Sequence, residues 1–182
     1  MENFMLSKSV AEFSSRRSLS VPLDVKLERV RAIFRTFGVR VIGVVESSKL
    51  VGIIKRSDVI KVTATKTEAL ARDLASPPRA VLAPETTTLN ALEKALSLGE
   101  WYLPVVGGQK FLGFFGLEDA IESCLGAEVC AQKLEEMRLE EIMIEEYPKV
   151  SPEDPLDYVW RLLTDEGYVS LPVVDEKRGS WE

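Results

Sequence analysis

Two stretches of sequence decide the fold, KLVGIIKRSDV at Lys49–Val59 and KFLGFFGLEDA at Lys110–Ala120. Each begins with a lysine, runs through apolar residues around a central glycine, and reaches an aspartate near its end. The central glycines, Gly52 and Gly113, are 61 residues apart, and the aspartates have the same separation. Because several unlike landmarks share one offset, the sequence predicts an internal repeat.

Further copies of the unit are marked by other landmarks, and a third set follows the second at an offset of 68 residues. These landmarks are a glycine, a pair of valines, a single apolar residue and an acidic residue followed by an apolar one. They occur at Gly38, Gly99 and Gly167; at Val44–Val45, Val105–Val106 and Val173–Val174; at Val21, Leu82 and Val150; and at Glu12–Phe13, Asp73–Leu74 and Glu141–Ile142. A unit of about 60 residues exceeds most solenoid repeats, so each copy is expected to form a small subdomain.

The repeat divides the chain into four expected segments. They are a first repeat at 1–66, a second repeat at 67–126, a helical linker at 127–138 and an incomplete third repeat at 139–182. The linker is predicted from a glutamate-rich run around residues 135–146, which is typical of a solvated helix. The counterpart of Asp119 in the third repeat would be residue 187, beyond Glu182. The strand expected at Val169–Val174 therefore lacks its return strand, and we expect it to pair with another chain or element, or to be mobile.

Each unit has the same predicted order of elements, β-α-β-β-α. The first helix has apolar residues at the spacing of one helical face, and the two following strands are apolar almost throughout, which is typical of strands buried on both faces. The helix positions are Leu27, Val30, Ile33, Phe34 and Phe37 in the first unit and Leu156, Val159, Trp160, Leu162 and Leu163 in the third, and the strands of the first unit are Ile42–Val45 and Leu50–Ile54. The predicted core residues are Val44, Val45, Ile53, Val105, Val106 and Phe114. The fold class is therefore α/β (α+β), with tandem repeats.

Composition excludes several classes of site. The 182 residues include no histidine, which excludes a histidine-dependent triad or metal site, and two cysteines, Cys124 and Cys130, which are too few for a structural zinc site. We expect both cysteines to be small apolar filler. The net charge is −6, divided into +7 over residues 1–66 and −13 over residues 67–182. The basic segment could attract an anion, or it could reflect only solvated helix faces, and the chain has no nucleic-acid-binding motif.

The sequence also lacks the motifs of common enzymes and of membrane proteins. It contains no phosphate loop and no nucleophile elbow, so we expect no catalytic activity. No apolar run approaches the roughly 18 residues of a membrane span, and the amino terminus does not resemble a signal peptide. We therefore expect a cytoplasmic protein that does not bind nucleic acid.

The order and repetition of these strings resemble CBS domains, the regulatory repeats named after cystathionine beta-synthase. Besides the two opening stretches, the matching strings are YLPVV at Tyr102–Val106, VSPEDPL at Val150–Leu156 and SLPVVDE at Ser170–Glu176. The resemblance implies that two repeats pack as a pseudo-two-fold pair, called a Bateman module, which binds AMP, ADP, ATP or S-adenosylmethionine between the repeats. It also implies a homodimer, regulation of an enzyme or transporter, and no cofactor other than the regulatory nucleotide.

The family's ligand signature is a glycine, two apolar residues, a threonine or serine, two variable residues and an aspartate that holds the ribose. Asp58 and Asp119 match the aspartate, and a carboxylate suits a vicinal diol because it accepts several hydrogen bonds. Lys55 and Gly116 replace the hydroxyl residue. The resemblance implies a ligand-binding set of Ser20, Val21, Ile42, Gly43, Lys55, Arg56, Asp58, Leu82, Tyr102, Leu103, Pro104 and Asp119.

Charge predicts that the two ligand sites differ. In the first site, the base would lie near Val21 and Ile42, the ribose on Asp58 and the phosphates on Lys55 and Arg56. The second site has Leu117 and Glu118 at the positions of Arg56 and Ser57 one repeat earlier, and Glu118 would repel a phosphate. We therefore predict one dominant nucleotide site per chain, which depends on Asp58.

Each of these residues also has a structural interpretation. Asp58 and Asp119 precede predicted helical segments, and aspartate is a favoured helix N-cap. Trp101 and Tyr102 could stack on an adenine, although aromatic residues at a strand start are more often part of a core. The missing hydroxyls favour an alternative function, a ligand-free scaffold for dimerisation or protein docking.

Overall fold

The structure is a computed structural model that describes residues 8–14, 18–62, 68–125, 138–141, 143–144, 146–166, 168 and 170–175, without the side chains of residues 124 and 125. The chain forms two compact units, Met1–Glu136 and Met137–Glu182. The predicted linker 127–138 lies outside the described residues except for Arg138, and so do Cys130 and the side chain of Cys124.

The first unit contains two successive copies of the predicted order of elements. The elements of the first copy are α1 (Ala11–Ser14), β1 (Ser20–Pro22), α2 (Leu27–Phe37), β2 (Val41–Glu46), β3 (Lys49–Lys55) and α3 (Arg56–Lys61). Those of the second copy are α4 (Ala71–Leu74), α5 (Thr88–Leu98), β4 (Tyr102–Gly107), β5 (Lys110–Gly116) and α6 (Leu117–Leu125). Helices α2 and α5 are followed by Gly38 and Gly99, whose φ angles of 63° and 64° are left-handed, the conformation that glycine commonly adopts after a helix.

Strand pairing follows the repeat. In the first copy, β1 runs parallel to β2, and β2 runs antiparallel to β3; in the second, β4 and β5 form an antiparallel pair. The parallel pairing of Val21 with Val44 recurs in the second copy as a single bridge between Leu82 and Val105. The predicted first strand of the second copy is thus reduced to one bridge.

The predicted core is correct at Val44, Ile53, Val105 and Phe114, which are all buried, and wrong at Val45 and Val106, which are half-buried. Alternation along the strands places Val45 and Val106 on the opposite face from Val44 and Val105, where they pack against the buried residues Val41, Ile53, Phe111 and Phe114. A register shift at this point leaves one extra residue in each partner strand, Val51 in β3 and Leu112 in β5. Burial on both faces therefore holds for Ile42–Val44 and Gly52–Ile54, but Val51 is exposed.

The short helices α1 and α4 are exchanged between the repeats. Leu27 N donates to Ala69 O at 2.9 Å, and Ala71 N donates to Val25 O at 2.8 Å. The equivalent bonds one repeat away run from Thr88 N to Lys8 O at 2.8 Å and from Val10 N to Thr86 O at 2.9 Å. Ala71 accordingly packs in the core of the first repeat and Val10 in the core of the second. Each repeat is completed by a segment that the sequence assigns to the other.

A third apolar cluster joins the two repeats. Its buried members are Val41 and Ile53 from the first repeat and Phe111 and Phe114 from the second. The two phenylalanine rings meet edge to face at 5.2 Å between centroids, and Phe111 N donates to Ser48 O at 2.9 Å. Gly43 lies against the Phe111 ring, because a Cβ atom there would come within 2.9 Å of the Phe111 Cε1 atom.

The second unit contains the start of a third copy. Its described residues include a 3-10 helix (Leu139–Glu141) and the α-helix α7 (Leu156–Thr164), and Val150 pairs in parallel with Val173, as Val21 does with Val44. Of the predicted helix face, Leu162 is buried, whereas Leu156 and Trp160 are exposed, in contrast to the expectation of one buried stripe. Phe37 is likewise predicted on the apolar face of the first helix, but it is exposed at the end of α2. The predicted strand Val169–Val174 is represented by the bridge at Val173, and Val169 lies outside the described residues.

We predict that Val105→Ala lowers the free energy of unfolding by about 2 kcal/mol, because the side chain is fully buried in the core of the second repeat. Val81→Ala is the matched control, since the same two methyl groups are removed from an exposed side chain and the expected loss is below about 0.5 kcal/mol. Urea denaturation followed by circular dichroism measures both values. Equal losses in the two variants would contradict the assignment of Val105 to the core.

Candidate functional site

The two signature aspartates lie in the first turns of α3 and α6, where each closes its own helix. Asp58 Oδ2 accepts the amide of Lys55 at 3.1 Å, and Asp119 Oδ2 accepts the amide of Gly116 at 2.8 Å. The helices begin at Arg56 and Leu117, so each aspartate is the third residue of its helix. The prediction that the aspartates occupy the N-cap position is therefore wrong. Each carboxylate still caps its helix, because it accepts a hydrogen bond from the backbone amide of the residue before the helix. Asp119 is fully buried and Asp58 is half-buried.

The side chain of Lys55 forms an ion pair between the repeats. Its Nζ atom lies 2.9 and 2.8 Å from the two carboxylate oxygens of Glu100, and Arg79 Nε lies 3.3 Å from the first of them. Glu100 is buried, whereas the Lys55 side chain is 40% exposed. The ammonium group that the sequence assigns to a phosphate is thus engaged by a carboxylate of the second repeat.

A cavity of about 330 Å³ lies between the repeats and is lined by residues from both. Its apolar walls include Phe37, Val39 and Val41 from the first repeat and Phe114 from the second. Arg40, Tyr102 and Glu118 also line the cavity, and two of them, Arg40 and Glu118, are charged. The hydroxyl of Tyr102 donates a hydrogen bond to the Glu118 carboxylate. The Arg40 guanidinium lies 5.9 Å from the centre of the Trp101 ring.

The cavity and the ion pair occupy equivalent places in the pseudo-symmetric pair. Arg56 N donates to Arg40 O at 2.9 Å, and its counterpart Leu117 N donates to Trp101 O at 3.1 Å. The offset of 61 residues relates Val39 to Glu100 and Gly116 to Lys55. At one of these places stand Val39 and Gly116, and the cleft is open. At the other stand Glu100 and Lys55, and their ion pair occupies the cleft. We call them the open cleft and the ion-pair cleft.

Seven of the twelve residues in the ligand-binding set predicted from the sequence are buried, and four of these belong to the cores of the repeats. Val21 and Ile42 belong to the core of the first repeat, and Leu82 and Leu103 to that of the second. Gly43 and Pro104 are buried, and Ser20 and Arg56 are exposed. Of the whole set, Tyr102 lines the open cleft.

The residues that the sequence analysis missed are the cleft-lining Phe37, Arg40 and Phe114, together with Glu118, which it treated only as a repulsive charge. The repeat itself could have pointed to Arg40. Arg40 directly precedes β2, and its counterpart Trp101 directly precedes β4, so the two residues meet beside the pseudo-two-fold axis. In the part of the chain that the structure describes, no group of three or more acidic or cysteine side chains could hold a metal ion. Nor does any described helix combine the length and apolar character that a membrane span requires.

Comparison with known structures identifies the same fold in several proteins. The protein MJ1225 of Methanocaldococcus jannaschii, named as a candidate archaeal homologue of g-AMPK, superposes over 94% of this chain and 67% of its own, with a TM-score of 0.76 and 16% identity. The CBS domain of a bacterial CNNM/CorC family Mg²⁺ transporter in complex with ATP is 19% identical, with 68% of this chain and 92% of that chain covered and a TM-score of 0.59. CBSX2 in complex with AMP is 20% identical and superposes over 65% of this chain and 96% of its own, with a TM-score of 0.57.

No curated protein sequence matches the chain. The family model of the CBS domain matches residues 10–64 and 139–179, in the first and third repeats, and these two segments make up more than half of the chain. The second repeat has the same strand pairing and the same exchanged helix as the first, although the family model does not reach it. The chain therefore belongs to the CBS-domain family.

Proposed function

We propose that this chain is a regulatory module that binds an adenine nucleotide in the open cleft between its first two repeats. The observation that carries the proposal is the cavity of about 330 Å³, which both repeats line and which lies within the size range of small-molecule sites. Support comes from two proteins of the same fold whose structures are complexes with ATP and with AMP. The module would have a sensing role, because the polar side chains that line the cleft, Arg40, Tyr102 and Glu118, suit the binding of a ligand.

The chemistry of the walls suits a nucleoside monophosphate. The base would lie against Phe37, which lines the cleft and is largely exposed, since aromatic rings bind flat apolar faces well. The ribose diol would donate to Glu118, because a carboxylate has about four acceptor positions and Tyr102 uses one of them. Arg40 would bind the phosphate through its guanidinium donors. Arg40 is the cation at the cleft, and Glu118 would repel the additional negative charge of a triphosphate. We therefore expect AMP to bind more tightly than ATP.

The ion-pair cleft is the poorer candidate for a phosphate. Lys55 would have to leave Glu100, and Glu100 would then remain buried with Arg79 as its remaining cation. Leaving a buried carboxylate short of a partner is costly. The sequence-based prediction of a dominant site at Asp58 therefore competes directly with the open cleft, and one experiment distinguishes the two.

We predict that AMP binds one site per chain and that Glu118→Gln and Arg40→Ala each weaken binding tenfold or more, the effect of losing a hydrogen bond to a charged group. Asp58→Asn and Arg56→Ala are the matched controls at the other cleft and should leave affinity unchanged. Isothermal titration calorimetry with AMP, ATP and S-adenosylmethionine measures each affinity. A stable complex should also stabilise the fold by about 2.7 kcal/mol at a hundredfold excess over its dissociation constant.

Two results would overturn this assignment. Loss of binding in Asp58→Asn, with Glu118→Gln unaffected, would move the nucleotide to the ion-pair cleft. Failure of all three ligands to bind would favour the alternative function, a scaffold for dimerisation or docking. The ion pair of Lys55 and Glu100 favours that alternative, because it links the repeats without any ligand.

Binding between the repeats would act on a partner through their relative packing. A ligand that contacts both repeats stabilises the arrangement in which both contacts form, and a partner that binds the same arrangement is linked to it thermodynamically. An enzyme or a transporter is the class of partner that we propose, and a similar CBS domain belongs to a CNNM/CorC family Mg²⁺ transporter.

A further inference from the structure

Gly116 stands at a position where the backbone does not require a glycine. It is the buried last residue of β5, and its φ angle lies outside the positive range in which glycine is favoured. Gly113 in the same strand differs, because its φ angle of 144° is one that other residues rarely adopt. The reason for a glycine at residue 116 therefore lies in the space around it.

That space is occupied by two side chains that line the open cleft, Tyr102 and Glu118. Gly116 pairs with Tyr102 across the two strands, and a Cβ atom at residue 116 would come within 2.7 Å of the Tyr102 Cε1 atom. The same Cβ atom would collide with the Glu118 carboxylate, to which the Tyr102 hydroxyl donates a hydrogen bond. The tyrosine and the glutamate thus share the volume that a side chain at residue 116 would fill.

The first repeat shows where a side chain at this position extends. The counterpart of Gly116 is Lys55, which pairs with Val41 as Gly116 pairs with Tyr102. The Lys55 side chain extends into the ion-pair cleft and contacts Glu100. By the pseudo-symmetry of the two repeats, a side chain at residue 116 would extend into the open cleft and displace the groups that line it.

We propose that Gly116 determines the ligand specificity of the open cleft, because its missing side chain lets Tyr102 hold the Glu118 carboxylate at the cleft wall. A carboxylate held in this way accepts a pair of donors, and the vicinal hydroxyls of a ribose supply such a pair. The ligand class is therefore a ribonucleotide, distinguished from a deoxyribonucleotide. Gly116 and Tyr102 are positioning residues, and Glu118 is the group that contacts the ligand. This inference rests on the proposed function, since it concerns the same cleft.

The geometry contradicts what the sequence signature implies for this position. The signature has a threonine or serine where Gly116 stands, so the resemblance implies that Gly116→Ser restores a ligand contact. The structure implies the opposite, because a serine side chain would displace the Glu118 carboxylate from the Tyr102 hydroxyl. The two interpretations predict opposite changes in affinity.

The first test compares the binding of AMP and 2′-deoxy-AMP by isothermal titration calorimetry. The wild type should bind AMP about tenfold more tightly or better, since the deoxynucleotide lacks one hydrogen bond to a charged group. Gly116→Ala and Gly116→Ser should weaken AMP binding and largely abolish this preference. Tyr102→Phe should also lower the preference, and it keeps the test decisive if the glycine variants fold poorly. Arg40→Ala should weaken the binding of both nucleotides equally and leave the preference unchanged.

Gly107→Ala is the matched control. Gly107 lies at the other end of the same strand pair and, like Gly116, has no positive φ angle. A Cβ atom there would contact Leu112 and Pro84, neither of which lines the cleft. The variant should leave AMP affinity and the preference unchanged. An unaltered preference in Gly116→Ala, or tighter AMP binding in Gly116→Ser, would overturn the inference and leave the proposed function intact.

The second test needs no ligand and separates this inference from the proposed function. Tyr102→Phe and Glu118→Ala form a double-mutant cycle, in which urea denaturation gives the equilibrium constant for unfolding of each variant. The two substitutions should be coupled in the wild type, and the coupling should disappear in the Gly116→Ala background. Coupling that persists in that background would overturn the inference even if AMP binds. Failure of AMP to bind the wild type would overturn the proposed function and, with it, the ribonucleotide specificity.

Discussion

Replacing Phe114 with alanine is expected to lower the free energy of unfolding by about 3–5 kcal/mol, the range for removing a buried phenylalanine. The side chain is 1% exposed and belongs to the cluster that joins the two repeats. Its ring also loses an edge-to-face contact with Phe111. The substitution therefore weakens the apolar contact between the repeats.

Phe37→Ala is the matched control for this prediction. The same ring is removed from a side chain that also lines the open cleft but is 60% exposed, so the expected loss is below about 1 kcal/mol. Urea denaturation of both variants gives the comparison. If Phe37→Ala costs as much as Phe114→Ala, the cluster between the repeats does not hold the pair together.

Removing the ammonium group of Lys55 should have the second largest effect. Lys55→Met is expected to cost about 2–3 kcal/mol, because Glu100 stays buried and keeps one of its two cations. We expect less than the full cost of breaking a buried ion pair, since Lys55 is itself partly solvated. The loss should persist at high salt, because a buried pair is screened less than an exposed one.

Arg79→Met is the corresponding control, since it also removes one cation from Glu100. The Arg79 side chain is largely exposed, so its ion pair should contribute less than about 1 kcal/mol and should weaken as salt is added. Thermal and urea unfolding in low and high salt measure both variants. A neutral Lys55→Met substitution would mean that the ion pair does not link the repeats, and that Lys55 is available to a ligand after all.

The sequence alone determined the repeat and the order of the elements. These features depend on local periodicity and on single residues such as Gly38 and Gly99, whose left-handed conformations follow from their place after an apolar helix face. The spacing of 61 residues also relates the observed pairings, because Val21 meets Val44 as Leu82 meets Val105.

Only the tertiary structure decided the site. The exchange of the short helices, the ion pair of Lys55 with Glu100 and the open cleft all join residues from different repeats, and no local pattern encodes which segment covers which core. The register shifts leave Val51 in β3 and Leu112 in β5 as extra residues, which strict alternation cannot anticipate. The sequence-based prediction assigned Lys55 and Asp58 to a ligand, but the packing of the second repeat supplied Glu100, the carboxylate that engages Lys55. The electrostatic partner of a charged side chain is the group nearest to it in space, and for Lys55 that group, Glu100, comes within reach only when the two repeats pack together.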